Sequence, residues 1–381
     1  MKYIGYYDTK PNRRSMCVAA TNKMDYIARA LNDIGESVEI IACGTTANEN
    51  IPKCCEKLYD KTTIKFFKTH KLSKHKLVRI FQYICGNITL FSYLLKNTKK
   101  DEKVMVYHSL GLMRCVYFAK KLKKFNMILE VEEIYNDVAK KSNASVKMER
   151  KFIACADSYI FPTGLLNEKL NKSGKPYVLI HGTYQVEKDR KASFNDDKIH
   201  VVYAGTFDPH KGGAEATLTA AGTLSSNYTV HICGFGSPED TEELKAKIDE
   251  INKNSKAKVV FEGLLTGEDY ISFLQKCDIG LSTQNPDAEF NATSFPSKIL
   301  SYMANGLRVV TVKIPAVFES KIGKDVYYYE EQTPKAIAEA VMNIDLNDSY
   351  DGRKRIAELD KEFQEDIKKL MELKNEFNFI V

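Results

Sequence analysis

Hydrophobic positions along the chain fall into short apolar runs that alternate with longer segments of helical spacing, such as residues 22–34. The apolar runs have the length of β-strands and are bounded by polar or glycine-containing turns. In the first half they are Lys2 to Tyr7, Val38 to Ala42, Val104 to Tyr107, Met127 to Val131, Tyr159 to Phe161 and Tyr177 to Ile180. Regular alternation of strands and helices predicts an α/β fold with doubly wound, mostly parallel sheets.

The length of the chain predicts more than one domain, because 381 residues exceed what one ordinary hydrophobic core holds. The polar segment VEKDRKASFNDDK lacks periodicity and is typical of a linker. We therefore predict an N-terminal domain over 1–186, a linker over 187–197 and a second domain over 198–345. The remaining segment, 346–381, has apolar residues at helical spacing: Ile356, Leu359, Phe363, Ile367, Leu370 and Leu373.

Two stretches of the second domain have the composition of a phosphate site. HVVYAGTFDPHKGGAEATLTA, from His200, predicts a strand, a turn and a helix, with Lys211 beside the helix start. Farther on, Thr293, Ser294 and Ser297 surround Pro296, which suits the first turn of a helix that ends at Gly306. An ordinary strand-to-helix turn with a surface lysine is the alternative for the first stretch.

These stretches, with a Gly-x-Gly turn and an F-x-G strand end, resemble the C-terminal domain of the retaining family 4 glycosyltransferases of envelope and capsular polysaccharide synthesis. That family has the GT-B fold, in which two Rossmann-like domains face a cleft and a C-terminal helix crosses back onto the N-terminal domain. A coiled-coil dimer is the competing use of that helix. The resemblance implies these donor-binding residues: Gly205, Thr206, Gly234, Gly236, Gly263, Thr293, Ser294, Ser297, Lys298 and Ser301.

The sequence departs from the family pattern at three positions. Thr206 stands where an arginine is usual, and the paired glutamates that hold the donor sugar and ribose are replaced by Thr293 and Ser301. Lys298 follows one turn into the helix, where it is placed to reach a phosphate or to pair with Glu289. A branch of the family has a Phe-Pro-Ser-Lys helix of this kind, so the fold assignment is unaffected.

The resemblance implies transfer of a sugar, with retention, from a nucleotide-sugar donor, most commonly a UDP-sugar, to a hydroxyl of a glycan or lipid-linked acceptor. Lys211 would stabilise the departing diphosphate. We expect no metal, and no cofactor besides the nucleotide-sugar co-substrate. Two alternatives remain open at this point: a nucleotide-sugar-binding or scaffold protein that has lost activity with its glutamates, and a GT-B nucleotide-sugar epimerase.

Candidate residues in the N-terminal domain lie where strands end. His108 follows Val104 to Tyr107 and is a candidate cleft residue, with a surface histidine as the alternative. Glu132 and Glu133 follow the strand from Met127, and either is suited to orient an acceptor hydroxyl or to act as a base. The loop after the first strand carries Arg13 and Arg14, which would hold phosphate if the loop is not simply solvated.

Charge is unevenly distributed, although the net charge is only +6. Residues 61–124 contain sixteen Lys or Arg and two acids, a difference of 16 − 2 = +14. Within them, the sequence from His70 to Leu95 has a basic first half and an apolar, aromatic second half, typical of a helix resting on an anionic membrane surface. A core helix with a solvated basic end is the alternative. No recognisable nucleic-acid-binding module is present, so we expect no nucleic-acid partner.

The ends and the overall composition favour the cytoplasm. The chain is 44% hydrophobic and 28% charged, as soluble globular proteins are. The first residues, MKYIGYYD, predict a strand instead of a signal peptide, and the longest apolar stretch, from Tyr83 to Leu95, is too short to span a bilayer. We therefore expect a cytoplasmic protein that is peripheral on the inner face of the membrane if the basic helix docks there.

Overall fold

The computed structural model describes residues 1–10, 13, 18–138, 142–286, 291 and 293–373. The chain divides into two compact units. Unit 1 is Met1–Thr183 together with the residues from Glu362 onward, and unit 2 is Tyr184–Lys361.

Unit 1 contains, within these residues, an eight-stranded sheet in the order β3-β4-β2-β1-β5-β6-β7-β8. Its pairs are parallel except for β3 with β4, which form an antiparallel hairpin. The strands are β1 (Lys2–Tyr6), β2 (Val38–Cys43), β3 (Cys54–Tyr59), β4 (Thr62–Phe66), β5 (Lys103–Tyr107), β6 (Asn126–Glu130), β7 (Ser158–Phe161) and β8 (Tyr177–Leu179). The hairpin was not predicted, because β3 reads CCEKLY and is largely exposed, so no apolar run marks it.

The helices of unit 1 connect these strands and cover the sheet. They are α1 (Val18–Asp33), α2 (Lys76–Asn97), α3 (Met113–Lys123), α4 (Tyr135–Val138), α5 (Asn143–Ala154) and α6 (Gly164–Leu170). The core is built from the apolar faces that the sequence pattern predicts, with Ile4, Ile41, Val106 and Leu129 fully buried on neighbouring strands. Helix α1 begins four residues before its predicted start at Asn22.

Unit 2 contains a six-stranded sheet in the order β11-β10-β9-β12-β13-β14, and its described pairs are all parallel. The strands are β9 (Ile199–Thr206), β10 (Tyr228–Phe235), β11 (Lys258–Gly263), β12 (Ile279–Ser282), β13 (Arg308–Val312) and β14 (Tyr327–Tyr329). The helices are α7 (Gly213–Ala221), α8 (Pro238–Asn254), α9 (Gly267–Leu274), α10 (Lys298–Ala304), α11 (Pro315–Phe318), α12 (Pro334–Met342) and α13 (Gly352–Glu372). The predicted α/β fold with two parallel-sheet, Rossmann-like domains is confirmed.

The last helix, α13, begins in unit 2 and ends in unit 1. Its predicted stripe is buried at Ile356, Leu359, Phe363, Ile367 and Leu370, whereas Leu373 lies beyond the helix end and is 48% exposed. Within unit 1, the Phe363 ring stacks on Tyr26 at a centroid distance of 5.5 Å, and Lys103 Nζ donates to the Met371 carbonyl. The C-terminal helix therefore returns to the N-terminal unit, as predicted.

Helix α2 packs on the core through its C-terminal part, as the core-helix alternative for this segment expects, but its N-terminal part exposes apolar as well as basic side chains. Only Leu90 and Leu94 are buried, near its C-terminal end. Phe91 and Tyr93, in the same C-terminal part, are partly buried against the core. The large apolar side chains of the preceding part are at least 46% exposed: Leu77, Val78, Ile80, Phe81, Tyr83, Ile84 and Ile88. In the described part of the chain, no helix is both long and apolar enough to cross a membrane.

Candidate active site

At the carboxyl edge of the unit 2 sheet, Gly205 and Gly234 leave the backbone uncovered by side chains, and we call this surface the glycine floor. Gly205 near the end of β9 pairs with Gly234 on β10, and Thr206 pairs with Phe235. A Cβ at Gly234, which has φ +146°, would lie 1.7 Å from the Gly205 carbonyl oxygen. Only glycine fits this approach, so the two strand ends present backbone instead of side chains.

Helix α7 starts directly above this floor. Its N-cap, Gly212, has φ +64° and no side chain to bond the first helical N–H groups. A Cβ at Gly213 would lie 2.5 Å from the Thr283 carbonyl oxygen, so the helix end packs tightly on the sheet. Lys211 is exposed immediately before the helix, in a turn closed by its own N–H donating to the Asp208 carbonyl at 3.1 Å.

Lys298, the first residue of α10, extends over the same floor. Its Nζ lies 4.2 Å from the centroid of the Tyr203 ring and would be 3.0 Å from a Cβ at Gly205. The residue keeps some solvent exposure, but protein surrounds its ammonium group. Burial lowers the pKa of Lys298 to about 7, and the charge of Lys211 acts in the same direction. The two lysines therefore belong to one electrostatic site.

The hydroxyl residues predicted beside Lys298 have different surroundings. Thr293 and Ser294 lie in the non-helical segment before α10, and Ser297 is its N-cap without a side-chain capping bond. The helix starts two residues after Pro296 and is only seven residues long. Ser301 hydrogen-bonds Tyr270. Burial raises the pKa of Tyr270 to about 12, and the hydrogen bond with Ser301 acts in the opposite direction. Glu289, the other predicted partner of Lys298, lies outside the described residues.

The remaining predicted glycines shape the loops around the floor. Gly263 ends β11 with φ +70°, a conformation that favours glycine. A Cβ at Gly236 would lie 2.9 Å from Phe207 Cβ, so this position, just after β10, is closely packed. The structure thus brings together Gly205, Gly234 and Lys298, which were predicted to bind the donor, and Lys211, which was predicted to stabilise the departing diphosphate.

His108 follows β5, at the carboxyl edge of the unit 1 sheet, but it is not a surface residue. Its side chain is 1% exposed and stacks on Tyr135 and Phe152, with centroid distances of 5.2 and 6.1 Å. Burial lowers the pKa of His108 to about 4, while the Glu133 backbone raises it. His108 is therefore neutral at neutral pH, and the surface alternative is wrong.

Glu149, which sequence reasoning missed, lies beside His108. Its Oε1 is 3.3 Å from His108 Nε2, and its carboxylate accepts from the backbone N–H groups of Tyr135 and Asn136 at 3.0 and 3.3 Å. The carboxylate is 1% exposed and thus fixes the start of α4 beneath the strand end. In the sequence, the charge of Glu149 within the amphipathic α5 segment was the only sign of its role.

The sequence ranked Glu132 and Glu133 equally, but Glu132 pairs with Lys23, whereas the Glu133 backbone hydrogen-bonds His108. Glu132 Oε1 lies 2.5 Å from Lys23 Nζ, and this buried lysine also donates to the Ile180 carbonyl at 3.2 Å. Glu130, two residues earlier at the end of β6, is fully buried and accepts from the Tyr3 hydroxyl. Burial raises the pKa of Glu130 to about 8, the charge of Glu132 acts in the same direction, and Lys23 opposes both.

Of the two arginines predicted to hold phosphate, Arg14 lies outside the described residues. Arg13 pairs with Asp8, with Nε and Nη2 at 2.8 and 2.6 Å from Oδ1, and its guanidinium lies over the Phe66 ring at 4.9 Å. Its charge is therefore already partly neutralised within unit 1. No group of three or more His, Cys, Asp or Glu suited to a metal ion occurs among the residues that the structure describes.

Two Rossmann-like units of this kind are characteristic of the GT-B fold. The apo structure of OtsA shares it at 12% identity and a TM-score of 0.69, over 98% of this chain and 99% of that chain. The α,α-trehalose 6-phosphate synthase of Burkholderia multivorans matches at 10% identity and a TM-score of 0.64, over 97% and 94%. HepE of Anabaena, solved with UDP and glucose, matches at 12% identity and a TM-score of 0.63, over 98% and 99%.

More specifically, residues 198–345 match the family model described as Glycosyl transferases group 1. This match covers all six strands of the unit 2 sheet, including the glycine floor and both lysines. No curated protein matches the chain by sequence.

Proposed function

We propose that the protein is a retaining glycosyltransferase of the family 4 type that transfers a sugar from a nucleotide-sugar donor to a hydroxyl. The observation that carries the proposal is the convergence of Lys211 and Lys298 over the glycine floor of a group 1 domain. Two cations above bare backbone suit a diphosphate, which needs charge and close approach. HepE, solved with UDP and glucose, supports UDP as the nucleotide.

Lys298 supplies the second positive charge that the family pattern places at the position of Thr206. The Thr206 carbonyl accepts from the Tyr203 hydroxyl at 3.1 Å, and the Tyr203 ring in turn supports the Lys298 ammonium. A bound diphosphate would return Lys298 to its charged form, because an adjacent anion favours the ammonium. Lys298 would thus be fully protonated when the donor is bound.

Cleavage of the glycosyl–phosphate bond places negative charge on the leaving diphosphate. Lys211, Lys298 and the uncapped start of α7 would stabilise that charge, at about 3 kcal/mol for each preorganised donor. In this proposal a diphosphate oxygen takes the proton of the attacking hydroxyl, on the face from which the diphosphate departs. The chemistry then requires neither a metal ion nor a cofactor.

Unit 1 would hold the acceptor. The side chain of Glu132 is 26% exposed and is oriented by Lys23, so one of its oxygens remains accessible to an acceptor hydroxyl. His108, neutral and enclosed with Glu149, would position the strand end instead of transferring a proton. We assign His108 as a positioning residue and Glu132 as the acceptor contact; Glu133 would act through its backbone beside His108.

The test is a thermal-shift screen of the whole chain against UDP, GDP, ADP, CMP and their sugar conjugates. We expect one nucleotide family to raise Tm, and Lys211→Ala to abolish the shift. Lys253→Ala, at the exposed end of α8 in the same unit, is the matched control and should keep the shift. A shift that survives in Lys211→Ala would show that the nucleotide binds elsewhere.

A nucleotide-sugar-binding protein without transferase activity is the second candidate. It is favoured by Ser301, which stands at the position of a family glutamate and bonds Tyr270 instead of presenting a carboxylate. Donor hydrolysis in the absence of acceptor, lost in Lys211→Ala, would exclude this candidate. Donor binding without any turnover over a panel of glycan and lipid-linked acceptors would favour it.

We further propose that the enzyme works on surface polysaccharide at the inner face of the cell membrane. Helix α2 exposes Leu77, Phe81 and Ile84, and α3 exposes Phe118 and Leu122, within the strongly basic segment 61–124. Apolar side chains flanked by lysines are suited to an anionic bilayer surface. The charge and exposure of this face support docking there.

Flotation with vesicles that contain anionic lipid tests this docking. We expect the protein to float at physiological salt and Leu77→Ser/Phe81→Ser to remain in solution. Phe318→Ser, which changes an equally exposed aromatic residue in unit 2, is the control. Failure of the unmodified protein to float would exclude docking without affecting the donor-site proposal.

A further inference from the structure

Unit 1 contains a large cavity between the carboxyl edge of its sheet and helix α2. Its volume is about 710 Å³, within the range of ligand pockets. Tyr6 and Cys43, at the ends of β1 and β2, form one wall, and Phe81, Gly86 and Leu90 of α2 form the other. In a parallel sheet this edge is where ligands bind.

A second cavity of about 460 Å³ continues from the first, between α2 and α3. Tyr83, Asn87 and Gly111 line both cavities, so the two form one groove that passes under α2. The second part is walled by Ile84, Ile88, Phe91, Leu110 and Phe118. The groove thus leads from the sheet edge to the exposed apolar faces of α2 and α3.

Polar and charged groups are concentrated at the sheet-edge end of this groove. Lys68 and His70, which follow β4, and Thr45 and Thr69 line the first cavity, and Arg114 lines the second. No Asp or Glu is among the described residues that line either part. An anion is therefore favoured at the sheet edge, and hydrocarbon is favoured along the remainder.

We propose that this groove binds a lipid phosphate: its phosphate lies near Lys68 and His70, and one hydrocarbon chain runs past Gly86 between α2 and α3. A sugar alone does not explain the groove, because the second part is mostly hydrocarbon and aromatic surface and offers only a few of the hydrogen-bond partners that a sugar needs. The inference rests on the proposed function, since it specifies the lipid part of a lipid-linked acceptor.

Gly86 provides a substitution that fills the groove without disturbing the fold. It lies inside α2, and a Cβ built on it meets no heavy atom within 4 Å. Gly86→Phe therefore places a ring in open space and removes a helix-weakening glycine. Gly164→Phe is the matched control. A Cβ at Gly164 would also meet no heavy atom within 4 Å, but Gly164 begins α6 and lies outside the groove.

The test is titration calorimetry of the whole chain with farnesyl phosphate below its micelle concentration, with farnesol and inorganic phosphate as separate ligands. We expect farnesyl phosphate to bind at least about tenfold more tightly than either, because chain and phosphate both contribute. Gly86→Phe should weaken binding at least about tenfold, Gly164→Phe should leave it unchanged, and Lys68→Gln should weaken it severalfold and reduce its salt dependence.

Three results would overturn the proposal: no binding of farnesyl phosphate, binding that Gly86→Phe leaves intact, or equally tight binding of inorganic phosphate. UDP binding is measured in the same samples to separate this inference from the proposed function. If UDP binds, Lys211→Ala abolishes that binding and farnesyl phosphate does not bind, only the lipid-phosphate proposal is excluded. If UDP does not bind, the proposed function is contradicted whatever farnesyl phosphate does.

Discussion

Replacing Lys298 by methionine should make the protein more stable and a poorer binder of its donor. Methionine retains an apolar stem over the Tyr203 ring but carries no charge. In the free protein the ammonium is enclosed and lies close enough to Lys211 for the two charges to repel each other. A residue that is costly to the free protein and favourable to a diphosphate complex is expected at a binding site.

The lowered pKa of Lys298 determines how much stability Lys298→Met should gain. A fall from 10.5 to about 7 is about 3.5 pKa units at 1.36 kcal/mol each, or about 4 kcal/mol at pH 7, where half the groups have lost the proton. Residual solvent exposure reduces this, so we expect Lys298→Met to gain about 2–4 kcal/mol in free energy of unfolding. Between pH 7 and 10.5 the unfolded chain binds more protons, so the unmodified protein gains stability and the advantage of Lys298→Met shrinks.

Donor binding should change in the opposite direction. A charged hydrogen bond to phosphate contributes about 1.5–3 kcal/mol, so UDP should bind Lys298→Met about 10- to 150-fold more weakly. Because a bound diphosphate returns Lys298 to its charged form, UDP binding at pH 8 should take up nearly one proton. That uptake should be absent in Lys298→Met.

Urea unfolding at pH 7 and 9, and calorimetry of UDP binding in buffers of different ionisation enthalpy, measure both effects. Lys245→Met is the control, because Lys245 is an exposed lysine of unit 2 whose ammonium lies 4.8 Å from the Phe261 ring centroid. The reasoning is refuted if Lys298→Met is no more stable than the control, or if it binds UDP as tightly as the unmodified protein with the same proton uptake.

Three further predictions concern His108, Gly234 and Phe363. Because burial lowers the pKa of His108 from 6.5 to about 4, stability should fall by about 2 kcal/mol between pH 7 and 5, and urea titrations should show this loss reduced in His108→Gln. Gly234→Ala should abolish UDP binding or unfold unit 2, since its Cβ would lie 1.7 Å from the Gly205 carbonyl oxygen; circular dichroism separates the two outcomes. Phe363→Ala should cost about 3–5 kcal/mol in unfolding free energy, whereas Leu373→Ala, at an exposed position, should cost less than about 1 kcal/mol.

The fold was predictable from sequence because its signals are local. Apolar runs and turn residues marked the parallel strands, and Gly205 and Lys211 stood close together in one strand–turn–helix unit. The hairpin of β3 was missed because Glu56 and Lys57 interrupt the strand and none of its side chains is buried, so its sequence has no apolar run. The start of α1 was placed too late, at the residue after Thr21, because threonine commonly caps helices, whereas here Thr21 lies inside a helix that begins at Val18.

The electrostatic partners at the site were not predictable, because the tertiary structure brings them together over long distances in sequence. Lys23 and Glu132 are 109 positions apart, and neither segment indicates the other. The same holds for Glu149 beside His108, which become neighbours only when α5 packs under the strand end. The pKa of Lys298 is likewise lowered by burial and by the charge of Lys211, which lies in the turn before α7, 87 positions earlier in the sequence.

The path of the chain through α13 has a consequence for biosynthesis. Unit 2 is a continuous segment of the polypeptide, whereas unit 1 is completed only by residues from Glu362 onward. During translation, unit 2 is able to fold while unit 1 still lacks the helix that places Phe363 on Tyr26. A chain that ends before residue 362 would therefore contain all of unit 2 but a unit 1 with an uncovered apolar patch, which chaperones and proteases recognise.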